Sequence, residues 1–285
     1  MPSTLVDTES LAAHLDDPAW AIVDCRFNLA DTEEGERLYA DGHIPGAVYA
    51  HLDRDLSAPK TGTNGRHPLP SVEAMAAMLG RLGIEGSTQV VAYDQDTSMY
   101  AVRLWWMLRY LGHDAVAVLD GGMARWLREG RPMRDGIEAR RAARFTAQPR
   151  AQMLALADEV LASLGDERTR IVDARAPERY RGDVEPLDPV AGHVPGAVNH
   201  HYMANLAPDG TFLPADELRR RLEPVLGGAP ATSTYVYCGS GVSACHDILA
   251  LELAGLGTAR LYAGSWSEWC VAVKGDTHLL RASRD

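Results

Sequence analysis

The sequence predicts an α/β protein of two similar domains, each a parallel sheet with helices on both faces. Three observations carry that prediction. The chain has 285 residues, roughly twice a domain of about 100–150 residues. Motifs of the first half recur in the second. Gly42-His43-Ile44-Pro45-Gly46-Ala47-Val48 returns 150 positions later as Gly192-His193-Val194-Pro195-Gly196-Ala197-Val198. Ile22-Val23-Asp24-Cys25-Arg26 returns 149 positions later as Ile171-Val172-Asp173-Ala174-Arg175, and GGMARW at 121–126 faces GSWSEW at 264–269 at an offset of 143. So long a period describes paired domains rather than a solenoid. Finally, short β-branched runs alternate with helical patterns in each half, the signature of parallel strands joined by crossover helices.

The first domain is expected over residues 1–142. Asp24 is read as standing at a strand end, with Arg26 bracing a neighbouring loop. The offset falls from 150 to 143, so the first half carries about seven extra residues; the Gly/Pro-rich stretch 57–70 is their natural place and reads as a loop. A strand follows at 89–93, a helix at 100–111 that stops at Gly112, and a strand at 115–119. Apolar periodicity fades over 135–150, where the join is expected. The second domain, 151–285, repeats the order with strands at 170–173 and 234–237, a helix at 244–254 stopping at Gly255, and a strand at 259–262.

Composition excludes several function classes. The chain is 46% hydrophobic and 24% charged, as folded soluble proteins are. Its formal charge of −11 gives no basic footprint for nucleic acid or an anionic membrane. An anionic substrate therefore needs local positive potential. No apolar run approaches the roughly 18 residues of a membrane span, and the N-terminal segment carries acids where a signal peptide is basic. Four cysteines without a CxxC pair make neither a disulfide scaffold nor a structural zinc site. No cofactor or metal is called for, and a cytoplasmic location is expected.

The duplication separates scaffold from chemistry. Features in both halves serve the fold: His43 and His193 each sit in a Gly-His-x-Pro-Gly turn, Asp24/Arg26 match Asp173/Arg175, and Trp126 matches Trp269 as packing. The halves part in the loop after one strand. Aligning Tyr93 with Tyr237 sets Asp94 opposite Cys238, so only the second loop, Cys238-Gly239-Ser240-Gly241-Val242-Ser243, offers a thiol. Unpaired N–H groups at a helix N-terminus favour a thiolate there. Gly239 and Gly241 permit the curl that turns successive N–H groups inward as an anion nest, and Ser240 and Ser243 add hydroxyls. Such a sulfur suits nucleophilic attack and an anionic covalent intermediate.

The doubled GHxPGA turn, the CGSGVSA loop and the terminal GSWSEW together resemble the tandem-domain rhodanese family of sulfurtransferases, over nearly the whole chain. The resemblance implies two rhodanese-like domains, the first without the cysteine, and an active site facing the interdomain cleft. It implies transfer of a sulfane sulfur from a small anionic donor to Cys238 as a persulfide. The acceptor would be cyanide or a thiol, either a small one or that of a thioredoxin-like protein. The loop is similar to that of 3-mercaptopyruvate sulfurtransferases, and Val242 belongs to it. Thiosulfate-preferring members carry bulky and basic residues where Gly239 and Ser240 stand. A donor bearing a carboxylate needs cations; Arg179 and Arg181 precede the second GHxPGA turn, and Arg179 matches a substrate-binding arginine of the mercaptopyruvate enzymes. Their second arginine has no counterpart in 184–188. His67 and Asp55 resemble the family's His/Asp pair that works with the loop serine, with Arg66 beside them; Arg66-His67-Pro68 also reads as a plain surface turn.

Other classes stay in view. A cysteine-dependent phosphatase needs an arginine six positions after the cysteine to clamp phosphate; Ala244 stands there. A redox-sensing module would pair Cys238 with Cys245. Cys25, Cys245 and Cys270 read as small buried side chains. His200 and His201, adjacent in a strand, point to opposite faces and have no ligand set.

Overall fold

The computed structural model describes residues 4–272. The described residues divide into two compact units: 4–58, 70–150 and 206–212 form one, and 59–69, 151–205 and 213–272 the other.

In the first unit the elements run β1 (Leu5–Val6), α1 (Thr8–Ala12), β2 (Trp20–Asp24), α2 (Glu34–Asp41), β3 (Val48–Tyr49), α3 (Val72–Arg81), β4 (Gln89–Tyr93), α4 (Ala101–Tyr110), β5 (Val116–Leu119) and α5 (Gly122–Arg128). Its five strands are parallel in the order β1-β5-β4-β2-β3. Every residue of β2 and β4 is buried, as a strand covered on both faces must be. Helices start where capping predicts: the side chains of Asp7 and Ser71 accept N–H groups of Ser10 and Ala74 at the heads of α1 and α3. Ile22, Val91, Ala117 and Leu119 pack with Trp126 and Ile44 in one core.

The second unit repeats the plan with β6 (Leu154–Ala155), α6 (Ala157–Ala162), β7 (Arg170–Asp173), α7 (Pro177–Tyr180), β8 (Val198–Asn199), α8 (Ala215–Leu226), β9 (Thr234–Tyr237), α9 (Ala244–Leu253), β10 (Arg260–Tyr262) and α10 (Ser265–Ala272). Its sheet order, β6-β10-β9-β7-β8, is the first with every strand advanced by five. Register repeats too: Asp24 lies beside Tyr93, and Asp173 beside Tyr237. The α/β class and the duplication are thus both present in the structure.

The paired residues brace the sheet ends as expected. Arg26 Nη2 donates to Asp24 Oδ2 at 2.6 Å and to Gly42 O at 2.7 Å. Arg175 Nη2 makes the same two bonds, to Asp173 and Gly192 O, both at 2.6 Å. His43 stacks on Tyr39 and bonds its carbonyl at 2.8 Å, and His193 does so with Tyr180 at 2.7 Å. These histidines belong to the fold.

Chain order leaves β7 for β8 on one side and returns to β9 on the other. The β7/β9 boundary is therefore a topological switch point, where open α/β sheets bind ligands beyond their strands' carboxyl ends. Cys238 directly follows β9.

Candidate active site

Cys238 is 2% exposed. Its Sγ accepts the N–H of Gly241 at 3.1 Å, which requires the chain to fold back on itself within three residues. Gly241 manages this with φ of +76°, and a Cβ there would lie 2.3 Å from the Ala263 carbonyl oxygen. Only glycine fits.

The loop is held from behind by the start of α10. Trp266 N–H donates to Cys238 O at 3.0 Å and Ser267 N–H to Gly239 O at 2.9 Å, while Cys238 N–H donates to Ser265 Oγ at 3.1 Å. With two consecutive carbonyls tied down, the peptide planes are fixed. The first unit has the same fastening: Met123 and Ala124 donate to Asp94 O and Gln95 O at 2.9 and 2.8 Å. Gly122 there has φ of +55°, as Ser265 does here. Sequence reading takes Trp269 of GSWSEW as packing and misses the part played by Trp266 and Ser267, because backbone amides carry no side-chain signature.

What the loops hold differs. In the first unit the Asp94 carboxylate accepts the N–H groups of Ser98 at 2.9 Å, Tyr100 at 2.7 Å and Ala101 at 3.2 Å. Burial outweighs these bonds and pushes its pKa up to about 6. That nest is filled by the chain's own side chain. In the second unit a sulfur stands in the corresponding place.

Residues 59–69 contribute to the second unit's loop. Ser240 Oγ and His67 Nδ1 share a hydrogen bond of 2.7 Å, with both residues buried. Arg66 N–H donates to Ser267 Oγ at 3.0 Å. The Arg66 and Arg179 guanidiniums converge on Gly239, where a Cβ would meet Arg66 Nη2 at 2.6 Å and Arg179 Nη1 at 3.4 Å. Arg66-His67-Pro68 is therefore not a free surface turn.

Both arginines are held by acids. Arg66 is ion-paired with Asp188, and Arg179 Nη2 reaches Glu185 Oε1 at 2.7 Å and Asp188 Oδ2 at 3.4 Å. The stretch 184–188 has no arginine, and its two acids, Glu185 and Asp188, give no sign in the sequence that they meet these guanidiniums.

Three further positions can be placed. Arg181 extends outward, pairing with exposed Asp183 at 2.8 Å. Asp55, in the first unit, accepts His51 N–H at 2.9 Å and pairs with Arg81 at 3.0 Å. Val242 is buried and Ser243 is the residue before α9.

The other thiols are packed away. Burial pushes Cys25 well above the ordinary thiol range and Cys270 up to about 11. Cys245, fully buried, donates its thiol to Gly241 O at 3.5 Å. Behind the loop, Asn205 joins His200, His246 and Asp247 in a buried polar group that the sequence did not announce.

Among the described residues, no group of three or more His, Cys, Asp or Glu could hold a metal ion. No described helix is long and apolar enough to cross a membrane.

Comparison with known proteins agrees with this geometry. The Rhodanese-like domain profile matches twice, over residues 7–129 and 156–272. The chain is 47% identical over 267 residues to a probable 3-mercaptopyruvate sulfurtransferase of Pseudomonas aeruginosa, covering 93% of this chain and 94% of that protein. It is 36% identical over 270 residues to bovine thiosulfate sulfurtransferase, covering 92% and 88%. The solved 3-mercaptopyruvate sulfurtransferase of Leishmania major superposes with a TM-score of 0.85 at 31% identity, over 96% of this chain and 75% of that one. A doubled sheet, a fastened cysteine loop in the second copy and a carboxylate-filled loop in the first thus coincide with shared sequence over nearly the full length: the chain is a tandem-domain member of the rhodanese family of sulfurtransferases.

Proposed function

We propose that the protein moves a sulfane sulfur from 3-mercaptopyruvate to a thiol acceptor or cyanide through a persulfide on Cys238. The observation that carries this reading is the Gly241 N–H aimed at Cys238 Sγ at 3.1 Å in a loop whose carbonyls are tied away. The first domain, 1–142, has no cysteine at the corresponding position; the second, 151–285, carries the chemistry.

In the first half-reaction the Cys238 thiolate attacks the donor sulfur. The S–S bond forms as the C–S bond breaks, and the electron pair passes to carbon as the pyruvate enolate. That carbon takes up the proton the donor thiol gives up, so pyruvate leaves and Cys238–S–S⁻ remains. Ser240 and His67 form the hydrogen-bonded pair that can pass this proton. Arg66 and Arg179 orient the donor carboxylate over Gly239, and Gly239, Gly241, Val242 and Ser243 shape the cradle. In the second half-reaction an acceptor thiolate or cyanide attacks the outer sulfur, and the Cys238 thiolate is the leaving group.

Small residues after the cysteine support 3-mercaptopyruvate over thiosulfate as donor. A cytoplasmic location belongs to the same reading, supported by four cysteines outside any disulfide. The test is intact-protein mass spectrometry after incubation with either donor. Gain of one sulfur atom by the wild type, absent in Cys238→Ser, is expected; gain in both or neither would overturn the mechanism. A kcat/KM for thiosulfate equal to or above that for mercaptopyruvate would overturn the donor assignment.

A further inference from the structure

Three guanidiniums and three carboxylates are interlocked beside Gly239. Arg175 is held by Asp173 at 2.6 Å and reaches Glu185 Oε2 at 3.3 Å. Arg179 is held by Glu185 and Asp188, and Arg66 by Asp188. Glu185 and Asp188 side chains are only 3% exposed, whereas Arg66 and Arg179 keep 24% and 18%. Glu185 Oε1 also accepts the N–H groups of Leu187 and Asp188 at 3.1 and 3.2 Å. The segment is thereby wound so that Asp188 faces both arginines that converge on Gly239.

The group as a whole is neutral, so an incoming anion meets two donor forks but no excess positive charge. The exposed parts of the Arg66 and Arg179 side chains, 24% and 18%, are what that anion can reach. A neutral cluster of partly exposed forks suits a singly charged carboxylate, which gains directed hydrogen bonds. A doubly charged anion needs net positive charge to offset the loss of its larger hydration.

We propose that Asp188 is a specificity-determining residue: its carboxylate, shared between Arg66 and Arg179, neutralises the anion subsite and selects monoanionic sulfur donors over dianionic ones. This rests on the Cys238 persulfide reading, since it assigns the donor's anionic group to the arginines beside Gly239.

The experiment compares kcat/KM for thiosulfate, a dianion, and 3-mercaptopyruvate, a monoanion, in wild type, Asp188→Asn and Asp188→Glu. Asparagine keeps the size and an acceptor oxygen but removes the charge. Its thiosulfate-to-mercaptopyruvate ratio is expected to rise about tenfold or more, equivalent to about 1.4 kcal/mol, through KM and with the gain shrinking at high salt. Asp188→Glu retains the wild-type ratio. An unchanged ratio in Asp188→Asn, or equal changes for both donors, overturns the proposal. A second measurement needs no variant: pyruvate should inhibit the wild type more strongly than sulfate, and the reverse order also overturns it. Absence of any Cys238 persulfide would instead defeat the mechanism itself, so the two failures are distinguishable.

Discussion

Substituting Gly241 by alanine tests whether loop conformation, and not merely the presence of a thiol, creates the nucleophile's surroundings. Two costs arise. The φ of +76° is strained for any residue with a Cβ by about 1–2 kcal/mol. The added methyl would also stand 2.3 Å from Ala263 O, a backbone atom on the segment leading into α10, so the loop itself must move. Movement pulls the Gly241 N–H from the sulfur, and a hydrogen bond to a charged group is worth about 1.5–3 kcal/mol. At about 1.4 kcal/mol per decade, kcat/KM should fall by roughly 10- to 100-fold. Melting temperature should drop by about 5–10 °C. Gly228→Ala is the control: its φ is +89° but nothing lies within 4 Å of the new Cβ. It pays the dihedral cost alone and should keep wild-type kinetics. Steady-state kinetics and differential scanning calorimetry on both variants decide the matter. If Gly241→Ala matches Gly228→Ala in melting temperature and retains wild-type kcat/KM, the collision and the N–H···S bond have been overvalued.

Two further outcomes follow from the same geometry. Ser240→Ala removes the hydroxyl that His67 Nδ1 meets at 2.7 Å; kcat with mercaptopyruvate should fall by about 100-fold, while thiosulfate, whose leaving sulfite needs no carbon protonation, should lose much less. Equal losses with both donors would remove proton handling from this pair. Asp247 is fully buried, and burial, its largest influence, pushes its pKa up to about 6 from an unfolded value of about 3.9. Folding thus favours the protonated acid. The charged form costs about 3 kcal/mol above pH 6, a cost that fades as pH falls towards 4. Asp247→Asn, which can still accept from Asn205, should therefore be more stable than wild type by about 2–3 kcal/mol at pH 8. Denaturant unfolding at pH 8 and pH 4.5 reads the difference, and a gain of equal size at both would show that the charge is not its source.

Much of the site was legible because duplication supplied an internal comparison. Asp24, Arg26 and His43 repeat as Asp173, Arg175 and His193 with the same bonds, so residue identity sufficed to set them aside. Cys238 stood out because Asp94 replaces it in the other copy. Other features left no such trace. The edge strands β1, β3, β6 and β8 are two residues each, too short for alternation to register. The grouping of residues 59–69 with the second unit depends on contacts such as Arg66 N–H to Ser267 Oγ, between residues 201 positions apart in sequence. Asp188 was invisible as a site residue because its importance lies in what it neutralises.

The two loops also show why the first copy would not become active through a thiol alone. Its fastening by Met123 and Ala124 matches that by Trp266 and Ser267, so the scaffold for a curled loop survives. Yet Asp94 satisfies three amides at the head of α4. In the second loop the Gly239-Ser240-Gly241 stretch brings one amide back to the sulfur within three residues. The first brings its earliest amide, Ser98 N–H, back one residue later, after Gln95, Asp96 and Thr97, with Ser98 itself at φ of +61°. A cysteine at 94 would meet a longer loop shaped around a carboxylate with two acceptor oxygens, and a single sulfur cannot replace both. The first copy fills its loop with a built-in carboxylate that takes up the amides, whereas the second sets a single sulfur against one amide, and that exchange of a fixed acceptor for a thiol is the chemical content of the divergence between the halves.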